Sequence, residues 1–410
     1  MSAALAEIPS GSVTSPRGFL AAAAHAGLKA DGALDVALLV SATSCATAGV
    51  FTKNALRAAP VVYDADLLSE RPGRIRAVAM NARIANACTG APGLAAARAM
   101  AQAAEQAAAL PPRTALVLST GVIGVPLPLE PITAGLRDAA ARLGPEGGPE
   151  AARAIMTTDT RAKHCAARFE TPAGMVTVGG IAKGAGMIHP DMATLLAVLT
   201  TDAVGEPALL QPLFRRVVDR SFNAISVDGD TSTNDTALLL ANGASGIDPV
   251  RDGALVKQFE DTVLLVARTL ALAIVADGEG ASKLVEIQVV GAVSEAAARE
   301  VGRAIARSAL VKTAIYGADP NWGRILAAAG AAGVPLSVER LTLDAAADGA
   351  WLTLATGGAT AHPDLARARA IFQQKTIRLR IDLGLGRAEA VVWTCDLTPD
   401  YVRLNAAYTS

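Results

Sequence analysis

The sequence predicts an α+β protein in which antiparallel-rich sheets are covered by layers of helix. Three observations carry that expectation. Short apolar runs of strand length alternate with longer alanine-rich stretches of helical length. Clusters of Gly and Pro punctuate them, with no repeat of solenoid period. The chain, at 410 residues, is long enough for a large core and a second, smaller one.

The elements follow in order. The first apolar stretch, 19–28, is too short to span a bilayer and is broken by His25. Arg17 ahead of it mimics the charged start of a signal peptide, but Lys29, Asp31 and Asp35 follow at once, so a buried segment is expected. Pro92 stands at a plausible first helical position, a helix follows over 93–110, and Pro111 and Pro112 close it. A strand is expected over 114–119, then turns within 141–152 and 170–174. Strands over 194–200 and 237–241 precede a helix over 254–273, a strand over 284–290 and a helix over 295–309. Near the end Ile377, Leu379, Ile381 and Leu383 alternate with polar residues; a Gly-Leu-Gly turn and the run 388–394 complete a hairpin signal. The order after Ala281 sets off a smaller unit, giving a division into 1–285 and 286–410.

Composition removes several function classes. With 37 Lys and Arg against 38 Asp and Glu, no field exists to recruit nucleic acid or an anionic membrane. Aromatic residues make up 3%, too few for base-stacking platforms. Cys45, Cys88, Cys165 and Cys395 form no C-x-x-C pair, and the four histidines show no H-x-x-x-H spacing, so neither a disulfide framework nor a His/Cys metal site is expected. A reducing, cytoplasmic setting suits that cysteine usage.

The richest window is 179–200. Its glycines surround Lys183, yet Lys183 precedes Gly184 where a Walker loop needs Gly-Lys-Ser/Thr, and His189 stands where a G-x-G-x-x-G loop needs its last glycine. The alternative is that the glycines let backbone approach Thr194. A threonine hydroxyl needs a base, and no His partner is evident. Freed as an N-terminus, Thr194 would have its own α-amine for that task, and the small Ala193 leaves the preceding carbonyl open, with Asp191 and His189 able to assist. A structural Thr opening a strand has the same local pattern. Thr120 and Gly121, ending the run 116–124, are either an ordinary strand-to-helix turn or a hydroxyl and an N–H for an oxyanion. The segments 156–160 and 227–236 are dense in Asp and Thr; the second lacks the EF-hand Gly and Glu, leaving a hydrogen-bonded loop as the default. Glu279 is either a turn residue or a carboxylate presented to a cation.

Taken together, GVFTKN (49–54), NACTG (86–90), STGVIG (119–124), MTTDT (156–160), GIAKGAGMIHPDMATLL (180–196), FNAISVDGDTSTNDT (222–236), DGEGASK (277–283), YGADPNWGR (316–324) and YVRLNAAYTS (401–410) resemble the ornithine acetyltransferase (glutamate N-acetyltransferase) family of arginine biosynthesis. The segments run in order across nearly the whole chain. The resemblance implies a four-layer αββα sandwich and self-cleavage between Ala193 and Thr194 into polypeptides 1–193 and 194–410. It implies Thr194 as nucleophile, with Thr120 and Gly121 lining the oxyanion hole. Thr157, Lys183, Thr194, Glu279, Asn405 and Ser410 would hold substrate. N-acetylornithine and glutamate are the implied substrates, with no cofactor and no metal, and a heterotetramer of two of each polypeptide is the implied assembly. Use of acetyl-CoA as a second acetyl donor stays open, as does a related self-processing amidase or aminopeptidase that hydrolyses instead of transferring. One departure is NARIAN at 81–86, where a small polar Ser-Gly-Asn is expected after the first Asn; Arg83 and Ile84 bear on local packing there.

Overall fold

The computed structural model describes residues 5–189 and 195–407. Among the described residues the strands form a nine-stranded and a seven-stranded sheet. The long strand Val36–Phe51 divides the larger one into two halves. Its register breaks between Val40 and Cys45, where Ala42, Thr43 and Ser44 are exposed, and the chain bends there. Beyond the bend it pairs with Thr236–Ala241, followed outward by Leu196–Thr201, Gly174–Lys183, Lys163–Thr171 and Ala6–Glu7. Before the bend it pairs with Phe19–Ala24 on one side and Ile75–Asn81 on the other, the latter parallel to Ala115–Ser119.

The two halves stack face to face. Ile181, Leu196, Val198, Leu238 and Leu240 meet Leu39, Val78, Met80, Leu116 and Leu118 in one core. Period-two alternation turns the intervening residues outward, and those faces are buried too. Ala197, Leu199 and Leu239 pack under the helices Pro207–Asp219 and Val256–Ala276. On the far side, Leu38, Ala79 and Val117 pack under Gly90–Ala107 and Leu129–Ala140. Burial on both faces explains why these strands read as continuous apolar runs. The result is a four-layer αββα sandwich, as the resemblance implies, and the segment after Arg17 is the buried strand Phe19–Ala24.

The seven-stranded sheet runs in the order Ala359–Thr360, Leu352–Thr356, Thr342–Ala346, Thr376–Asp382, Leu284–Ala292, Ala388–Cys395, Ile225–Ser226. Helices Glu295–Ala306, Ala309–Tyr316, Trp322–Gly330 and Leu365–Phe372 cover one face of it. Its last strand comes from the sandwich part of the sequence, and Trp393 and Cys395 join the core around Val256–Ala276.

Two expectations are corrected. Thr376–Asp382 and Ala388–Cys395 do not form a hairpin: Leu284–Ala292 lies between them, parallel to the first and antiparallel to the second. The Gly-Leu-Gly segment crosses the end of that central strand, with Leu385 and Gly386 donating to Gly291 O at 2.7 and 2.8 Å. The helix expected over 295–309 ends at Ala306, because the Ser308 hydroxyl accepts from Val311 N and caps a new helix at Ala309.

Candidate functional site

Six of the residues singled out from the sequence line one cavity of about 240 Å³: Thr120, Gly121, Thr157, Lys183, Glu279 and Asn405. Ala193, Thr194 and Ser410, and Asp191 with them, lie outside the described residues. The described chain resumes at Leu195, which borders a smaller void of about 10 Å³ together with Thr120, Lys183 and Asp235.

Thr120 and Gly121 follow the strand Ala115–Ser119 and are propped by segment 81–86. Thr120 N donates to Asn81 O at 3.1 Å, Val122 N to Arg83 O at 2.9 Å, and Ala85 N to Val122 O at 2.9 Å. Gly121 has φ +132°, and a Cβ there would lie 2.0 Å from the Arg83 carbonyl carbon. Only glycine fits that approach. Arg83 itself sits at φ 73°, so the departure at NARIAN forms the support of this turn. Among the described residues neither the Thr120 hydroxyl nor the Gly121 N–H has a hydrogen-bond partner, leaving two donors at the cavity wall for a developing oxyanion.

Lys183 ends the strand Gly174–Lys183 with its side chain almost fully buried. Its Nζ donates to Thr157 Oγ1 at 2.7 Å and lies 3.9 Å from Asp159 Oδ2. Burial pushes the Lys183 ammonium below the usual lysine range, while Asp159 opposes the change. Asp159 accepts from Lys163 Nζ at 2.7 Å, Gly184 N at 2.8 Å and Thr157 N at 3.0 Å. Burial alone would raise its carboxyl; Lys183 and Lys163 reverse that and hold it well below the usual carboxylate range. Lys163 in turn reaches Asp277 Oδ2 at 2.6 Å, which joins this buried lattice to the end of the helix Val256–Ala276.

Glu279 faces Lys183 across the cavity. Its N–H donates to Ala185 O at 2.9 Å, and a Cβ on Gly186 would meet its carboxylate at 2.4 Å, so Gly186 lets the carboxylate lie along the loop. The loop is pinned from below by Asp228, whose Oδ1 accepts from Ile188 N at 2.8 Å and whose other oxygen accepts from Met187 N. Tyr401, on the helix Pro399–Ala407, donates to the same carboxylate at 3.3 Å. One turn on, Asn405 Nδ2 donates to Glu279 Oε2.

His189 does not line the cavity. Its Nδ1 lies 3.0 Å from Ser226 Oγ and its Nε2 accepts from Arg303 Nη2 at 3.0 Å, which ties the loop to the helix Glu295–Ala306. Segment 227–236, expected only as a hydrogen-bonded loop, supplies Asp228 and also Asn234, whose Nδ2 donates to Ala85 O at 2.6 Å and Ser119 O at 2.8 Å. Asp159, Asp228 and Asn234 carry the site and were not singled out from the sequence. Their one signal was the density of Asp and Thr in two loops. Among the described residues no group of His, Cys, Asp and Glu side chains gathers in a way that could hold a metal ion, and no helix is long and apolar enough to cross a membrane.

Comparison with known proteins gives a consistent answer. The model of the ArgJ family matches residues 20–410. The arginine biosynthesis bifunctional protein ArgJ of Symbiobacterium thermophilum is 47% identical over 405 residues, covering 97% of this chain and 98% of that protein. Its namesake from a Synechococcus strain is 46% identical over 418 residues, covering 100% of each. Among solved structures, ornithine acetyltransferase from Mycobacterium tuberculosis, complexed with ornithine, is 40% identical over 47% of this chain and 100% of that one, with a TM-score of 0.43.

Proposed function

Because the chain belongs to the ArgJ family, we propose that it is a self-cleaving N-terminal-threonine acetyltransferase of arginine biosynthesis, a glutamate N-acetyltransferase that moves acetyl from N-acetylornithine to glutamate. The observation that carries this is the meeting of two oxyanion donors, a buried ammonium and a carboxylate in one cavity, with Thr120 and Lys183 also bordering the void at Leu195, the residue after Thr194.

In maturation, Thr194 Oγ attacks the Ala193 carbonyl carbon, the bond to the Thr194 nitrogen breaks, and the hydroxyl proton passes to that nitrogen. Water then hydrolyses the ester, restoring the hydroxyl and leaving a carboxylate on Ala193. In turnover the freed α-amine, with an unperturbed pKa of about 7.7–8, takes the hydroxyl proton as Oγ attacks the acetyl carbon. Thr120 and Gly121 stabilise the oxyanion, ornithine leaves with the proton, and the glutamate amine attacks the acetyl-threonine ester. Lys183 and Thr157 receive the α-carboxylate. Glu279, held by Asn405, receives the side-chain ammonium of ornithine, and Ser410 completes the pocket. No cofactor is required by these steps; acetyl-CoA serves as a second acetyl donor in a bifunctional enzyme. A cytoplasmic heterotetramer of two copies of each polypeptide is the assembly this reading carries.

A denaturing gel with N-terminal sequencing tests it first, expecting a polypeptide that begins at Thr194. Brief exposure to N-acetylornithine should then add one acetyl group to that polypeptide by mass spectrometry. Added glutamate should yield N-acetylglutamate; acetate alone would make the enzyme a hydrolase and overturn the transfer step.

A further inference from the structure

Asp235 is buried to 1% exposure, and neither of its carboxylate oxygens has a hydrogen-bond partner. Leaving a carboxylate in that condition costs several kcal/mol, so such groups are rare unless a partner arrives. Asp235 immediately precedes the strand Thr236–Ala241, and the parallel register Thr236 to Leu196 sets it level with Leu195 on the neighbouring strand. It lines the small void with Thr120, Lys183, Leu195, Leu196, Ser232 and Asn234. The Leu195 amide and the Thr52 hydroxyl come near enough to act on it electrostatically, but neither makes a hydrogen bond, and the Thr52 hydroxyl is given to Ser232 O at 2.8 Å. Burial therefore pushes its carboxyl well above the usual range, with Lys183 a minor counterweight.

Resting on the N-terminal-threonine reading above, we infer that Asp235 is the positioning residue for the α-amine released at Thr194, the partner that its carboxylate lacks before the chain is cut. Backbone geometry keeps the Thr194 nitrogen within about 3.6 Å of the Leu195 nitrogen, which bounds the amine to the neighbourhood of this void. Peptide cleavage converts a neutral amide nitrogen into a basic one that takes up a proton. A carboxylate waiting there stabilises the amine as it forms and afterwards orients it toward Oγ. The charged groups that act on the pair are Lys183 from the adjacent strand and, through Lys183, Asp159, Lys163 and Glu279.

The test is Asp235→Asn in the full chain, alone and combined with Thr194→Ala. In the uncut Thr194→Ala background the Asn variant should melt no lower than its parent, because a buried, unpartnered acid is being removed. Alone, Asp235→Asn should slow self-cleavage by about tenfold or more. In the fraction that does cleave, kcat should fall more than KM rises, and the acid limb of kcat/KM should move to lower pH, since the ammonium has lost a nearby negative charge. Cleavage and a pH profile equal to wild type would overturn the inference, and so would a large loss of melting temperature in the uncut background, which would make Asp235 structural. If wild-type protein yields no polypeptide beginning at Thr194, the parent reading fails instead, whatever Asp235 does.

Discussion

Asn405 Nδ2 donates to Glu279 Oε2 at 2.8 Å, a bond between residues 126 apart that brings the helix Pro399–Ala407 over the cavity. An exposed helix near the chain end thereby becomes part of a binding wall. Asn405→Ala should raise KM for N-acetylornithine by about tenfold, the equivalent of one hydrogen bond to a charged group at about 1.5 kcal/mol. Self-cleavage should be unchanged. Steady-state kinetics beside a denaturing gel check both, and a variant with wild-type KM would remove Asn405 from the pocket.

Thr120 and Gly121 should fail in different ways. Thr120→Val keeps the shape and loses the hydroxyl donor, so kcat should fall by about 100-fold or more while the melting temperature holds. Gly121→Ala brings a Cβ to 2.0 Å from the Arg83 carbonyl carbon at φ +132°. It should therefore lower stability by about 1–3 kcal/mol as well as activity. Thermal melts and single-turnover rates separate the two outcomes.

Lys183 must be protonated to bind a carboxylate, and burial holds its ammonium below the usual lysine range. Substrate affinity should decline with rising pH well before about 10.4, the ordinary lysine value. KM for N-acetylornithine measured across alkaline pH should climb, whereas Lys183→Met should start high and stay flat. A wild-type KM that is constant to the ordinary lysine value would contradict this.

Asp159 has a folded carboxyl value held below its unfolded one by Lys183 and Lys163, against the pull of burial. Its contribution is fully present above the unfolded value of about 3.9 and is lost as pH falls from there through the lower folded value. Asp159→Asn breaks a buried pair and should cost about 3–5 kcal/mol at neutral pH. Denaturation curves at descending pH should show the variant and wild type converging below about pH 4.

The sandwich was legible because its strands, buried on both faces, form unbroken apolar runs such as 236–241, and its helices are long and alanine-rich. The crossing of Thr376–Asp382 and Ala388–Cys395 by Leu284–Ala292 was not legible. Alternation marks a strand and its faces but names no partner, and a five-residue link suits a crossing as well as a turn. At the site, Lys183, Glu279 and Thr120 were visible through their unusual glycine neighbours and the family motifs. Asp159, Asp228 and Asp235 sit in loops where several acids look alike, and burial selects among them only once the chain is folded. One clue went unused: Asp235 directly abuts the wholly apolar TALLLA strand, where a solvated acid has nowhere to go.

The strand order of the large sheet also decides what a nick at 193/194 does to the molecule. Leu196–Thr201 and Thr236–Ala241 stand side by side, flanked by Gly174–Lys183 on one edge and Val36–Phe51 on the other. The downstream polypeptide is thus threaded between two strands of the upstream one, like a tenon in its mortise. Scission there frees a new chain end without freeing a subunit, and the pieces can part only by melting the sheet that unites them.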